Sequence, residues 1–136
     1  MHDSLASLPG YALRRAANAM MGELSARLGT IDLRISDASV LMLIDGASDM
    51  TSSDIGRLLD IQRANMVPLL NRLEGAGLIE RKPLDRKSLA VVLTDTGRKT
   101  LAKVRKITVQ FENDLLARVP DKHRDHLVPA LNALWQ

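Results

Sequence analysis

The stretch from Gly77 to Gly97, GLIERKPLDRKSLAVVLTDTG, breaks the pattern of the rest of the chain. Two short β-type runs flank a turn loaded with charge. The first, Leu78 to Lys82, ends at Pro83-Leu84-Asp85-Arg86-Lys87-Ser88, where proline, aspartate and serine favour a turn over a continued strand. The second, Leu89 to Thr94, alternates, with Leu89, Val91 and Leu93 on one face and Ala90, Val92 and Thr94 on the other. The spacing predicts a β-hairpin with a cationic tip. A lone two-stranded hairpin is marginal in water, so this one must lean on neighbouring helices.

Composition restricts what those neighbours can be. At 136 residues and 46% hydrophobic content the chain is sized for one domain over residues 1–136. Cysteine is absent, which removes disulfides, thiolate metal sites and thiol redox sensing together. Only Tyr11, Phe111 and Trp135 are aromatic, so the core must be built from aliphatic side chains and methionine. No apolar run approaches the ~20 residues that span a bilayer, and no basic segment followed by an apolar core stands at the start. The expected location is cytoplasmic, with no membrane partner.

The net charge of +3 is modest, but its distribution is uneven. Residues 51–110 hold twelve of the nineteen Lys and Arg against six acids, while the remainder is acidic on balance. A local cationic excess without an aromatic-rich amphipathic helix suits a nucleic acid better than a membrane.

Outside the hairpin the period is helical. From Leu5 to Leu28, apolar residues recur at Leu13, Ala17, Met20, Leu24 and Leu28, which predicts one long helix with a narrow stripe. Ser36 is a candidate N-cap for a second helix through Ile44, and Thr51 or Ser52 for a third over Ser53 to Leu59, with Ile55, Leu58 and Leu59 inward. A fourth runs from Arg63 to Gly75 or Gly77 with Met66, Leu69, Leu70 and Leu73 inward. Thr94-Asp95 opens a fifth through Leu101, Val104, Val109, Leu115 and Leu116, and a sixth after Pro120 carries Leu127, Leu131 and Leu134.

Two short helices joined at Asp60-Ile61-Gln62 and followed directly by a hairpin form the order of a winged helix-turn-helix. The fourth helix is slim and polar at its start (Gln62, Arg63, Asn65), as a major-groove element needs to be. The cationic hairpin is the wing, suited to phosphates or the narrow minor groove.

The run MTSSDIGRLLDIQRANMVPLLNRLEGAGLIERKPLDRKSLAVVLTDTGRKTL, together with the helices on either side, resembles the MarR family of bacterial transcription regulators over nearly the whole chain. The expected fold is mainly α with a small β-hairpin wing: a winged helix-turn-helix lobe over 36–94, flanked by dimerisation helices at 5–30 and 95–136. The resemblance implies a homodimer that clasps pseudo-palindromic double-stranded DNA, usually represses, and lets go when a small organic, often aromatic, acid binds. No cofactor is implied.

Carried over residue by residue, the resemblance aligns Arg63, Ala64, Asn65 and Val67 with the exposed face of the recognition helix and Arg86 and its neighbours with the wing tip. Ser52, Ser53, Gln62, Arg72, Asp85, Lys87 and Ser88 complete the expected DNA-binding set. Pro68 stands where members commonly carry a polar or basic residue, and it removes an interior backbone donor unless the helix starts late. Lys87 stands where a second wing arginine is common. Lysine lacks the planar fork, which makes Arg86 the first choice for groove insertion.

Tyr11, Arg14, Arg15 and Asn18 at the polar edge of the first helix, with Met42, are the candidate effector-binding set, since an arginine there could hold a ligand carboxylate. The arginines could equally pair with acids. His123 and His126 sit three apart but lack a third ligand at metal spacing, so no metal site is expected. No nucleophile with a base, phosphate-cradling glycine loop or paired carboxylates is present, which argues against an enzyme. A winged-helix module for protein interaction, or a constitutive architectural DNA binder, is the rival reading.

Overall fold

The computed structural model describes all 136 residues. The elements run α1 (Pro9–Gly29), α2 (Ile35–Ile44), α3 (Ser52–Leu58), α4 (Arg63–Gly75), β1 (Ile79–Pro83), β2 (Leu89–Leu93), α5 (Asp95–Ala117) and α6 (Asp121–Asn132). The mainly helical fold with one hairpin is the expected one. No helix is long and apolar enough to cross a membrane.

Local chemistry sets the boundaries. α1 begins at Pro9 rather than Leu5, with Leu8 extended at φ −88°, ψ 120°. Proline suits the first helical position and keeps its predecessor out of the α region. α2 is capped at Arg34, not Ser36. The Asp37 carboxylate reaches back to accept the Arg34 backbone N–H at 2.8 Å, so the helix opens two residues early. In α3 the Thr51 hydroxyl accepts from the Asp54 N–H, and the Asp54 carboxylate accepts from the Thr51 N–H in return.

α4 ends in a Schellman closure, with the Leu78 N–H on the Leu73 carbonyl and Gly77 at φ +75°. Pro68 neither delays nor breaks α4, which starts at Arg63 and is continuous to Gly75. The acceptor it leaves free is the Ala64 carbonyl, one turn earlier, where solvent reaches it.

The core is a single cluster drawn from all elements except α6, with Leu28, Val40, Leu41, Ile44, Ile55, Met66, Leu70, Leu73, Ile79, Val91 and Val104 among its most enclosed members. Met66, Leu69, Leu70 and Leu73 of α4 are all buried, as the spacing predicts. One inward assignment, Leu58, and one residue of the α5 apolar period, Val109, are exposed. Leu58 is 61% exposed, because the arc of α3 that packs is centred on Ile55 and Gly56, and Leu58 lies beyond its edge. Val109 is 60% exposed and Phe111 is buried in its place. At 100° per residue the buried face of α5 passes through Gly97, Leu101, Val104 and Phe111, and Val109 falls roughly 120° away from Gly97.

The hairpin pairs Ile79 with Leu93 and Pro83 with Leu89. It has a third partner that periodicity does not show. Thr51 bridges Ala90, and the Val91 N–H donates to the Met50 carbonyl at 2.8 Å. This explains why Ala90 and Val91 are both buried while Leu89 is exposed.

One buried ion pair locks α4 to α2. The Asp37 side chain is almost wholly enclosed, and its second oxygen accepts from Arg72 Nη2 at 2.5 Å. Arg72→Ala would leave that carboxylate buried on the Arg34 N–H alone, and breaking such a pair from one side is expected to cost about 3 kcal/mol. Urea titration should show this as a lowered midpoint with the slope unchanged.

α1 lies against α5. Arg27 bonds Glu23 and Asp114, each at 2.8 Å, and stands 5.4 Å above the Phe111 ring, while Arg118 reaches Glu23 at 2.7 Å. α6 has no buried residue; Val128 and Leu131 on it, and Leu134 and Trp135 just beyond it, are exposed.

Candidate nucleic-acid interface

α3 and α4 enclose an open cleft of ≈ 570 Å³, made by a close helix-helix approach at Gly56. A Cβ there would come 3.0 Å from the Ile61 carbonyl oxygen and 3.2 Å from Met66 Cγ, so glycine is what lets α4 cross this near. The turn between the helices is tight. Asp60 takes φ +54°, a left-handed conformation that aspartate tolerates better than most residues, and the Ile61 N–H closes onto the Gly56 carbonyl at 2.8 Å.

Ser52, Ser53, Gln62, Arg63 and Val67 line this cleft together. Ala64 and Asn65 are exposed on the same first turns of α4, beside it. The Asn65 backbone N–H is taken by the Gln62 carbonyl at 2.9 Å, while its side-chain amide is left without a partner in the chain. Val67 is 55% exposed, an apolar point on an otherwise polar face.

Sequence reasoning missed Arg57 and Asp60, which also line the cleft. Arg57 is held by Asp54 at 2.6 Å. The Asp54 carboxyl lies below its usual 3.8 because the Thr51 backbone N–H and hydroxyl donate to it, with Arg57 adding attraction. The signal was available: Arg57 is the only cation on α3 and follows the glycine that admits α4.

The wing tip is ordered by Asp85. Its carboxylate accepts the backbone N–H of Lys87 at 2.8 Å and of Ser88 at 2.9 Å, and these donors hold its pKa below the usual carboxylate value of 3.8. That turn holds Arg86 and Lys87 outward, both exposed and neither paired to a carboxylate. Asp85 bonds backbone rather than the Arg86 side chain.

Arg72 does not join this surface. Its guanidinium is committed to Asp37 on the opposite side of α4 from the cleft lining.

The candidate effector set is scattered. Tyr11 and Arg14 flank a shallow hollow at Gly10, Arg15 is paired with Asp3 at 2.6 Å, and Asn18 is exposed. Met42 is half-buried against α5, where its sulfur accepts from the Thr108 hydroxyl at 3.9 Å, and it does not line that hollow.

The family model described as MarR family matches residues 31–88, and the solved structure of the transcriptional repressor CouR is 34% identical with a TM-score of 0.84, covering 96% of this chain and 93% of that one. The chain belongs to the MarR family. Among curated relatives, a putative transcriptional regulatory protein for the hcr operon of Thauera aromatica is 27% identical over 139 residues, covering 100% of this chain and 84% of the relative. CouR has also been solved bound to p-coumaroyl-CoA, at 31% identity and a TM-score of 0.86, covering 98% of this chain and 96% of that chain. The MarR match spans α2, α3, α4, β1 and the wing tip, the part of the chain that carries the cleft and Arg86.

Proposed function

We propose that this MarR-family chain is a DNA-binding transcriptional repressor that acts as a homodimer and releases a pseudo-palindromic operator when a small organic acid, or its CoA thioester, binds. The observation that carries the reading is where the unpaired cations sit. Most arginines of the chain hold a carboxylate; of the four that hold none, Arg14, Arg34, Arg63 and Arg86, two stand on the helix-turn-helix and wing, Arg63 at the start of α4 and Arg86 at the wing tip. Two exposed, uncommitted guanidiniums at the two ends of a helix-turn-helix and wing suit adjacent grooves of one duplex. Val67 is placed to meet a thymine methyl, and Asn65 to pair with an adenine edge.

The dimer is supported by apolar surface that one copy leaves open. Leu8, Tyr11 and Leu13 at the start of α1, and Val128, Leu131, Leu134 and Trp135 at the end of the chain, are all exposed, with Trp135 at 75%. A patch of this kind marks an association surface, and a two-fold dimer is the commonest closure. The effector class is supported by CouR, which binds a CoA thioester of an aromatic acid at above 30% identity to this chain.

Enrichment of random genomic fragments on the purified protein tests the reading, repeated with p-coumaroyl-CoA and p-coumarate present. Recovery of a few palindromic sites, lost with one of those additives, is the expected result. Flat enrichment or none would favour an architectural or protein-binding winged helix.

A further inference from the structure

Wing and recognition helix must reach DNA together, and besides the turn at Ala76 and Gly77 and the apolar core shared by Leu73, Leu78 and Ile79, one polar side chain ties the outer face of the hairpin to α4. That side chain is Arg81, in the middle of β1 opposite Val91. It leaves the hairpin and lies along α4, where Nη2 donates to Asn71 Oδ1 at 2.9 Å and Nε stands 3.4 Å from Glu74 Oε2. Nε is buried and makes no hydrogen bond, so its tie to Glu74 is the charge attraction across that gap. Asn71 and Glu74 are three apart, so they present neighbouring acceptors on one face of α4, and a planar guanidinium meets both where a single ammonium could meet one.

We propose that Arg81 is a positioning residue for DNA recognition: it touches no DNA but fixes the angle of the wing to α4, so that Arg86 reaches its groove while Arg63 and Asn65 occupy theirs. The inference rests on the DNA-binding reading above. The lever is long. Arg86 lies in the tip turn beyond the end of β1, so a rotation of the outer hairpin about Arg81 displaces the tip more than the strands at its base. The far side of α4 is held by Arg72 on Asp37, and the base of the hairpin is held by Met50, Thr51 and the first turn of α5, so the part free to shift when Arg81 lets go is the outer hairpin that carries Arg86.

The test is a double-mutant cycle on the duplex recovered by fragment enrichment. Arg81→Met keeps the apolar stem and removes the fork. It should weaken operator binding about tenfold and flatten the plot of log affinity against log salt by about 2 per dimer, although Arg81 itself neutralises no phosphate. In that background Arg86→Ala should cost less than about twofold further, because a wing already out of register has no contact to lose. A role in fold stability alone would lower the active fraction and leave the salt slope as it was.

Asn71→Ala combined with Glu74→Gln removes the acceptors from exposed positions and leaves Arg81 in place, and it should reproduce both the slope and the coupling. Arg81→Lys should recover part of the affinity. Additive losses for Arg81→Met and Arg86→Ala, or an unchanged salt slope in the acceptor variant, overturn the inference while the DNA-binding reading stands. If the wild-type protein recovers no fragment, the DNA-binding reading falls, and this inference with it.

Discussion

Asn65→Ala is expected to weaken binding to the operator by about 1–3 kcal/mol per half-site, or roughly 2–6 kcal/mol for a dimer, and to leave binding to random DNA unchanged. The side-chain amide of Asn65 is exposed on the first turns of α4 and has no partner within the chain, so its donors and acceptor are free for a base edge. A hydrogen bond of that kind releases no counterions, and the salt dependence should stay as it is. Arg86→Ala should behave in the opposite way. It removes an unpaired cation at the wing tip, so affinity should fall for specific and random duplexes alike, and the log-log salt plot should flatten by about 2 per dimer at close to 0.9 per phosphate. Fluorescence anisotropy against both duplexes across a salt series separates the two effects. An Arg86→Ala protein that folds and matches wild type in affinity and slope would reduce the wing to a structural prop.

Gly97→Ala is expected to destabilise the fold by about 3 kcal/mol or more, because overpacking against backbone cannot be relieved by a side-chain rotation. A Cβ on Gly97 would stand 2.0 Å from the Leu78 carbonyl oxygen. That oxygen already accepts the Thr94 N–H at 3.1 Å, and the Thr94 hydroxyl donates to the Gly77 carbonyl at 2.5 Å, so the strand entering the wing is held directly against the first turn of α5. The same hydroxyl accepts the Gly97 N–H as the cap of α5. A methyl group there must push apart the wing and the helix that leads away from it. Thermal unfolding followed by circular dichroism should show a large drop in midpoint, and Gly75→Ala, which meets open space, is the matched control.

Asn65, Arg86 and Gly97 all belong to motifs visible in the chain, but the reasons for them were not equally visible. The hairpin, the polar start of α4 and the four inward residues of α4 follow from period and turn chemistry, which depend only on near neighbours. The start of α1 was misplaced because the apolar period continues through a proline whose local preference overrides it. The N-cap of α2 was misplaced because a carboxylate three residues inside can cap as well as a serine hydroxyl at the end.

Other features depend on contacts far apart in the chain. Arg72 looks like a surface cation of the recognition helix, and it is Asp37, 35 residues earlier, that makes it a structural one. Met50 and Thr51 carry no strand period, yet they close the hairpin edge because the chain before α3 passes beside β2. Arg81 reads as one more charge in GLIER until α4 brings Asn71 and Glu74 beneath it. The sequence by itself determined the elements, their order and the cationic wing, since these rest on propensity and periodicity among adjacent residues. Which arginines remain free to meet a polyanion was decided only by the tertiary structure, because a guanidinium is committed or free according to the carboxylates and amides that folding places within a few ångströms of it.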